Sequence, residues 1–263
     1  MLAVIRGAGD IATGIALRLY RAGIKIVMTD LPQPTSIRRT VCFSEAIRHG
    51  TAVVEGVEAC LAENAAEARK IAESGRVAVL VDPEAACAKT LQPDALVDAI
   101  LAKKNLGTCI TDAPVVVAVG PGFTAGVHCH AAVETMRGHT LGRVLYEGSP
   151  LPNTGIPGVI AGYAAERVLR APADGVFEPK KEIGAQVKKG EVAAVVSGKP
   201  MLCKIDGCLR GLMQAGAVVF EGMKCGDVDP RGIPDNCTTA SDKAIAVGGG
   251  VLEAILHFTH ALD

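Results

Sequence analysis

The residues with the clearest chemical potential lie near the start of the chain, where a short apolar run leads into Gly7, Gly9 and Ala12. Their spacing is G-x-G-x-x-A, the fingerprint of a dinucleotide-binding turn with alanine in the third position. Gly7 permits a tight turn from strand to helix, and Gly9 lets the backbone approach a pyrophosphate. The free amides and the dipole of the helix would then hold this anion. The pattern predicts a phosphate-binding turn, and the alternative is a turn that only packs a helix on a strand.

An acidic residue completes this pattern. Asp30 ends the second apolar run, 21 residues after Gly9, where dinucleotide-binding folds place the acid that binds a ribose. The cofactor-binding residues predicted around the turn are Gly7, Gly9, Asp10, Ile11, Ala12, Gly14 and Asp30.

Three later segments add candidates at the same edge of the predicted sheet. Arg38 and Arg39 follow a proline-rich loop and could pair with phosphate or carboxylate groups, or remain solvated surface residues. Asp82 is another carboxylate at the end of an apolar run. Gly120-Pro121-Gly122 opens a second glycine-rich turn, which either binds phosphate or simply turns the chain.

Candidate groups for acid–base or covalent chemistry cluster between residues 128 and 139. On a helix, His130 and Glu134 would share a face at i, i+4, and both are possible metal ligands. His130 or His139 could also transfer a proton, and Cys129 could act only as an exposed thiolate. Because the H-E-x-x-H arrangement is absent, no structural metal is expected, while ligand-contact and purely structural roles both stay open.

The segments around these residues predict the scaffold that positions them. Apolar runs at 2–6, 24–29, 76–82 and 114–119 are typical of buried strands in a parallel sheet. Residues 10–22, 61–74 and 93–104 predict helices. We therefore expect a Rossmann-like α/β domain over residues 1–170, with a mostly parallel sheet and helices on both faces.

An internal repeat predicts a second domain over residues 171–235. Its two copies lie 32 residues apart and share the pairs Asp174 and Asp206, Gly175 and Gly207, Gly184 and Gly216, Val187 and Val219, and Gly190 and Gly222. The pattern resembles the all-β barrel-sandwich hybrid of biotinyl and lipoyl domains. Lys199 occupies the place of their modified lysine but lacks its flanking residues, so a structural or docking module is expected. Residues 236–263 predict a C-terminal helix that packs back on the first domain.

Composition excludes several classes of partner. The 263-residue chain has a net charge of −1, so it lacks the basic surplus that neutralises nucleic-acid phosphates. No apolar run approaches the ~18–20 residues that span a bilayer, and the start of the chain lacks a secretory pattern. The nine cysteines include no C-x-x-C pair. We expect a cytoplasmic protein without nucleic-acid or membrane partners, with a homo-oligomer as the default assembly.

Several longer motifs together resemble a known family. They are residues 7–14, 34–40, 120–126, 134–139, 152–158 and 227–232. Over nearly its whole length the chain resembles the YqeB-type maturation proteins of selenium-dependent molybdenum hydroxylases. Its first domain is also similar to the Rossmann part of xanthine dehydrogenase accessory proteins.

The resemblance implies an accessory protein rather than a defined reaction. Such a protein would bind molybdopterin, for example as its cytosine dinucleotide, during sulfur or selenium modification, and deliver it to the apo-hydroxylase. Gly7 to Gly14 would hold the pyrophosphate, Asp30 a ribose, and Arg38 and Arg39 the remaining anionic groups. An NAD(P)-dependent oxidoreductase using His130 or His139, and a non-catalytic adaptor that docks the hydroxylase, are the alternatives.

Overall fold

The chain, described over residues 1–261 in a computed structural model, folds into two units. The first unit comprises Met1–Pro34, Cys42–Thr154 and the segment from Ala240 onward. The second comprises Thr35–Val41 and Gly155–Thr239. The second unit therefore begins earlier than residue 171 and includes a short segment taken from the middle of the predicted first domain.

Over residues 1–261, the first unit contains nine strands and five α-helices. The strands are β1 (Leu2–Arg6), β2 (Lys25–Asp30), β3 (Thr51–Val54), β4 (Val57–Leu61), β5 (Val77–Val81), β6 (Ala95–Asp98), β7 (Val115–Val119), β8 (Ala131–Val133) and β9 (Val144–Leu145). The helices are α1 (Asp10–Arg21), α2 (Ala46–His49), α3 (Ala65–Glu73), α4 (Ala88–Leu91) and α5 (Asp242–Thr259).

These strands form one sheet in the order β3-β4-β5-β2-β1-β6-β7-β8-β9. The seven strands from β4 to β8 run parallel, and the edge strands β3 and β9 are antiparallel to their neighbours. The predicted α/β class with a mostly parallel sheet is confirmed. The direction of strand addition reverses between β1 and β6, and ligands of open α/β sheets bind at such a switch point.

The central strands are buried because helices pack on the sheet. Leu2 and Val4 of β1 pack in one cluster with Ala68 and Ile71 of α3. Since strand side chains alternate between the two faces, Ala3 and Ile5, which are also buried, point to the opposite face.

Small residues bring α1 and α5 into close contact. A Cβ atom built on Gly14 of α1 would lie 2.5 Å from the Cβ of Ala244. One built on Gly248 would lie 2.9 Å from the carbonyl oxygen of Gly14. The glycines of α5 thus permit close backbone approach to α1, which explains their presence in a helix. Residues 262 and 263 of the predicted C-terminal segment lie outside the described residues.

Three predicted helical segments are wrong in whole or in part. Residues 93–104 do not form a helix, because Ala95–Asp98 is strand β6, paired with both β1 and β7. The predicted helix over 61–74 begins only at Ala65, where the Asn64 side chain accepts a hydrogen bond from the Glu67 amide. The predicted helical face shared by His130 and Glu134 is absent, since Ala131–Val133 is strand β8.

The second unit consists of eight short strands. They are β10 (Val168–Arg170), β11 (Gly175–Pro179), β12 (Gln186–Val187), β13 (Val192–Val196), β14 (Lys199–Leu202), β15 (Gly207–Leu212), β16 (Val218–Val219) and β17 (Lys224–Asp229). They form two antiparallel sheets, ordered β10-β17-β15-β12 and β14-β13-β11-β16. The sequence repeat is reproduced, because β11, β12 and β13 begin 32 residues before β15, β16 and β17.

Each copy of the repeat contributes strands to both sheets, so the two copies share one core. That core includes Phe177 and Val196 from the first copy and Leu209 and Val228 from the second. Within residues 1–261, no helix is long and apolar enough to cross a membrane.

Candidate functional site

The glycine-rich turn lies at the carboxyl end of β1, at the switch point of the sheet. Gly7 has a φ of +105°, a conformation that L side chains rarely adopt. A Cβ atom on Gly7 would also lie 3.0 Å from the carbonyl oxygen of Ala99, which follows β6. Gly9 directly precedes α1, so the first amides of this helix have no partner within the helix. The turn has the backbone geometry needed for an anion site.

Asp30 fixes the shape of this turn. Its Oδ2 accepts a 2.9 Å hydrogen bond from the Ala8 amide, and its Oδ1 accepts a 2.7 Å bond from the Leu31 amide. Burial raises the pKa of Asp30 more than these two hydrogen bonds lower it. A carboxylate oxygen can accept a second hydrogen bond, so Asp30 can hold the turn and still accept a ribose hydroxyl.

The first turn of α1 carries an acidic residue, Asp10. Asp10 and Asp30 thus bring two carboxylates to an amide-lined turn. The amides and the helix dipole attract an anion, whereas both carboxylates repel it. The backbone of the turn therefore favours binding of a pyrophosphate, whereas the two carboxylates beside it oppose binding.

A buried ion pair joins the ends of three parallel strands beside this turn. Arg6 ends β1, and its Nε donates to the carbonyl oxygen of Pro83, after β5, at 2.9 Å. Its Nη1 lies 3.4 Å from Oδ2 of Asp98, the last residue of β6, and donates to Thr108 Oγ1 at 3.1 Å. Its Nη2 lies 3.2 Å from Glu84 Oε2. The Arg6 side chain therefore holds the edge of the sheet together.

Asp98 is fully buried in this cluster. Its Oδ2 also accepts a 2.5 Å hydrogen bond from Thr108 Oγ1. Burial raises the pKa of Asp98, and the bonds from Thr108 and the charge of Arg6 only partly oppose this. Sequence reasoning missed both residues of the pair. The available signal was a carboxylate after Ala95-Leu96-Val97, the same pattern that marked Asp30 and Asp82 as strand ends.

Asp82 lies directly after β5, beside Asp30. The Asp82 amide donates to the carbonyl oxygen of Asp30 at 3.1 Å, and its carboxylate accepts a 2.8 Å bond from the Cys87 amide. Asp82 thus lies at the predicted edge and orders the loop that leads to α4.

The second glycine-rich turn follows β7. Gly120 and Gly122 have φ values of +83° and +107°. A Cβ atom on Gly122 would lie 2.5 Å from the Cα of Lys104, so this position needs glycine because the Lys104 backbone passes beside it. Pro121 lies between them. Turning the chain and admitting this close contact already account for both glycines, and phosphate binding here stays a prediction.

Arg38 and Arg39 both lie in the second unit, in the segment Thr35–Val41. Arg38 Nη2 donates to the carbonyl oxygens of Asn236 and Thr239 at 3.0 and 3.1 Å. Arg39 Nε donates to the carbonyl oxygen of Leu212 at 2.9 Å. These donors bind the segment to its own unit, and a role of Arg38 and Arg39 in clamping a cofactor stays a prediction.

Cys129 and His130, two of the candidates for chemistry, are engaged in structural contacts. Cys129 is fully buried, and burial raises the pKa of its thiol to about 11, so it does not present the exposed thiolate that covalent chemistry requires. His130 Nδ1 accepts a hydrogen bond from the Val116 amide at 2.9 Å. His139 is exposed on a loop.

Glu134 is a buried anchor for backbone amides. Its Oε1 accepts bonds from the Thr135 and Met136 amides at 2.7 and 2.6 Å, and its Oε2 accepts a 2.8 Å bond from Leu151. Glu134 thus fixes the loop that leads out of the first unit. Over residues 1–261, no group of three or more His, Cys, Asp or Glu side chains could hold a metal ion.

Comparisons with known proteins identify a close homologue. The chain is 51% identical over 259 residues to the uncharacterized protein YqeB of Escherichia coli. The alignment covers 98% of this chain and 48% of YqeB, so the chain spans about half the length of that relative. The predicted resemblance to YqeB is confirmed. No protein-family model matches the chain.

Likeness to solved structures is low throughout. The product-bound ectoine utilization protein EutE of Ruegeria pomeroyi is 19% identical over 32% of this chain and 27% of its own, with a TM-score of 0.22. A succinylglutamate desuccinylase/aspartoacylase of Rhodobacter sphaeroides is 19% identical over 56% and 64%, with a TM-score of 0.24. An aspartoacylase family protein of Mesorhizobium loti is 13% identical over 86% and 83%, with a TM-score of 0.26. These scores are too low to carry an argument about function.

Proposed function

We propose that this close homologue of YqeB is an accessory protein of molybdenum hydroxylase maturation that binds a pyrophosphate-containing molybdopterin cofactor. The observation that carries the proposal is the Gly7–Gly9 turn, which lies before α1 at the switch point of a parallel sheet. The nature of the cofactor comes from the family resemblance of the longer motifs.

The strand order of the first unit supports a Rossmann dinucleotide-binding fold. Numbered by chain position, the strands β5-β2-β1-β6-β7-β8 have the order 3-2-1-4-5-6, which is the order of Rossmann dinucleotide-binding sheets. The shared core of the two repeat copies supports a barrel-sandwich hybrid in the second unit. That unit would dock the apo-hydroxylase.

The chain's own residues would bind and orient the cofactor. The amides at the start of α1 would hold the pyrophosphate, and Asp30 would accept a hydrogen bond from a ribose hydroxyl. When bound, the cofactor would supply the redox chemistry of its metal. No acid–base step is assigned to Cys129, which is buried, or to His130, whose Nδ1 accepts a backbone amide. The chain would hold the cofactor during its sulfur or selenium modification or its delivery.

An NAD(P)-dependent oxidoreductase is the second candidate. The position of Asp30 beside the Gly7–Gly9 turn favours it, because the same arrangement binds the adenosine ribose of NAD. A non-catalytic adaptor would keep the same fold with a turn that binds nothing.

The test identifies the ligand directly. Mass spectrometry of small molecules released on denaturation is paired with thermal shifts for NAD, NADP, CTP and molybdopterin species. A ligand at ~100 times its dissociation constant stabilises the folded state by about 2.7 kcal/mol. A pterin or cytidine nucleotide supports the maturation role, whereas NAD(H) or NADP(H) moves the assignment to the oxidoreductase. If nothing is released and nothing shifts the melting temperature, the proposal fails and the adaptor remains.

A matched pair of variants ties the ligand to the turn. Gly9 has a φ of −74°, a conformation that alanine adopts without strain, and the methyl group of Gly9→Ala would obstruct the approach of a pyrophosphate. We expect this variant to lose the ligand-induced shift. Gly249→Ala lies on α5 with no heavy atom within 4 Å of the added Cβ and should keep it. A full shift in Gly9→Ala would place the ligand elsewhere.

A further inference from the structure

The repeat relates the two sheets of the second unit, but the residues on their outward faces differ in solvent exposure. In the sheet β10-β17-β15-β12, outward positions carry Cys208 and Arg210 of β15. The positions 32 residues earlier, in the other sheet, carry Val176 and Glu178 of β11. Cys208 is completely buried, whereas Val176 is 51% exposed. The outward face of the sheet β10-β17-β15-β12 is therefore buried, and we call it the closed face. The outward face of the sheet β14-β13-β11-β16 is exposed, and we call it the open face.

The closed face is covered by the chain itself. Cys208 Sγ lies 3.5 Å from Cys237 Sγ in the turn of helix at Pro234–Cys237. Gln186 Nε2, on the edge strand β12, donates to the carbonyl oxygen of Gly232 at 2.9 Å. Arg210 Nη2 lies 2.7 Å from Asp227 Oδ2 in a buried ion pair. The polar groups on this face are therefore paired with other groups of the same chain.

Nothing in residues 1–261 covers the open face in this way, and the face is apolar. The register pairs Val176 with Val218, and Val195 with Pro200. The alternating residues of these strands, such as Phe177 and Val196, point into the core. Val218 and Leu202 are 77% and 45% exposed. We define the open face as Val176, Glu178, Val192, Val195, Pro200, Leu202 and Val218.

The open face carries a single charged member, Glu178, with an opposite charge at its border. Lys180 Nζ lies 3.2 Å from Glu178 Oε2 on the same chain. An acid and a base side by side can make the face self-complementary, because a twofold axis that passes between them brings each charge against the opposite charge of a second copy.

We propose that the open face binds the open face of a second copy of this chain, forming a twofold-symmetric dimer. Two sheets pack face to face at about 10 Å through their apolar side chains, and contiguous exposed apolar patches mark such interaction sites. In this arrangement Glu178 of each chain pairs with Lys180 of the other. Phe220, 62% exposed just beyond β16, adds an apolar contact at the border.

The size of the open face limits the area that the dimer can bury. Four strands at ~4.8 Å spacing and about five residues at ~3.3 Å rise give a footprint of roughly 20 by 17 Å. That is below the ~800 Å² per partner of a standard stable interface. The dimer is therefore weak and concentration-dependent, which distinguishes it from a permanent complex.

Sedimentation velocity over a series from low micromolar to submillimolar concentration tests the proposal. The wild type should shift from monomer to dimer, and Val218→Lys should weaken the dimer by at least roughly tenfold. Val53→Lys is the matched control, since Val53 is also an exposed strand valine (64%) but lies in the first unit. Circular dichroism verifies that both variants remain folded. A wild type that stays monomeric, or a Val218→Lys variant that dimerises normally, overturns the proposal.

A charge swap tests the twofold arrangement itself. Glu178→Lys and Lys180→Glu each place like charges together across the dimer and should weaken it. The double variant restores opposite charges within and between the chains and should recover wild-type dimerisation. If the double variant stays as weak as the single variants, the faces do not meet as proposed.

Discussion

The side chain of Arg6 shows how a single residue can determine the geometry of a binding edge. Its guanidinium contacts groups that follow β5 and β6 while its backbone continues into the Gly7–Gly9 turn. Arg6 is 5% exposed and Asp98 is fully buried, so each charge depends on the other for compensation. A buried pair of this kind contributes little when intact but is costly to break.

Arg6→Met should therefore be strongly destabilising. The substitution keeps much of the side-chain volume but leaves the Asp98 carboxylate buried without its countercharge, at a cost of about 3–5 kcal/mol. Denaturant unfolding monitored by circular dichroism measures the loss. The control is Arg21→Met, which removes an exposed pair with Glu55 and should cost less than ~1 kcal/mol. Similar small losses in both variants would show that the Arg6 pair is not structurally important.

Residues that need a positive φ or that recur at a fixed spacing could be predicted from the sequence. Their hydrogen-bond and ion-pair partners could not. Gly7 and Asp30 follow from a known spacing, and the structure places both at the turn. Arg6 interrupts an apolar run, and nothing local in the sequence indicates that it contacts Asp98, 92 residues later. The use of the Ala8 amide by Asp30 was equally hidden. Whether these residues bind a cofactor stays a prediction.

At the scale of elements, the packing of α1 on α5 depends on the absence of side chains. Gly14→Ala would place a methyl group 2.5 Å from the Ala244 Cβ and 2.9 Å from its backbone, so the helices must separate. Overpacking of this kind costs about 1–3 kcal/mol. Gly249→Ala is the control, because its Cβ would meet open space and alanine favours a helix by up to ~1 kcal/mol. Thermal unfolding should separate the two variants, and equal melting temperatures would contradict the close packing.

The ion pairs on the closed face make the second unit sensitive to acid. Burial alone would raise the pKa of Asp229, but hydrogen bonds from Arg231 and the charge of Arg210 outweigh it and lower the pKa to about 2. The unfolded carboxyl titrates near 4. The stabilisation is therefore complete above pH ~4 and disappears as the pH falls through about 2, on the order of 2 kcal/mol.

Unfolding free energies measured from pH 5 down to the acid limit of the fold check this prediction. Asp229→Asn should be less stable at neutral pH and should lose less stability than the wild type during acidification. Parallel acid profiles for the two proteins would mean that Asp229 does not carry the effect.

Strands were easier to predict from the sequence than helices, and the reason is physical. Runs such as Val115–Val119 are buried on both faces, so they are continuously apolar and easily recognised. The segment around Ala95–Asp98 is equally apolar, but its length and its alanines fit a helix as well, and only pairing with β1 and β7 decides. The repeat in the second unit could be recognised from the sequence because its glycines recur at turns with positive φ, such as Gly184 and Gly216.

At the scale of the whole molecule, the first unit depends on a helix that follows the second unit in the chain. Deleting the chain from Ala240 onward removes α5 and exposes the surface of α1 around Gly14, on which Ala244 packs. We expect the first unit to lose cooperative structure while the second, which has its own core, keeps it.

Hydrogen exchange read by mass spectrometry distinguishes the two units. Peptides from β1 and β7 should exchange rapidly in the truncated protein, and those from β13 and β15 should stay protected. The control is Ser241→Ala, which removes only the cap on the Ala244 amide at a cost of about 1 kcal/mol and should preserve both patterns. Unchanged protection of β1 would show that α5 is dispensable.

The chain passes between the two units four times, after Pro34, Val41, Thr154 and Thr239. No single cut in the gene can therefore release either unit whole. Recombination that inserts or exchanges one unit as a block would leave the other without part of its sequence. We therefore expect the two units to be inherited together, so that their sequences diversify as one lineage rather than as separable modules.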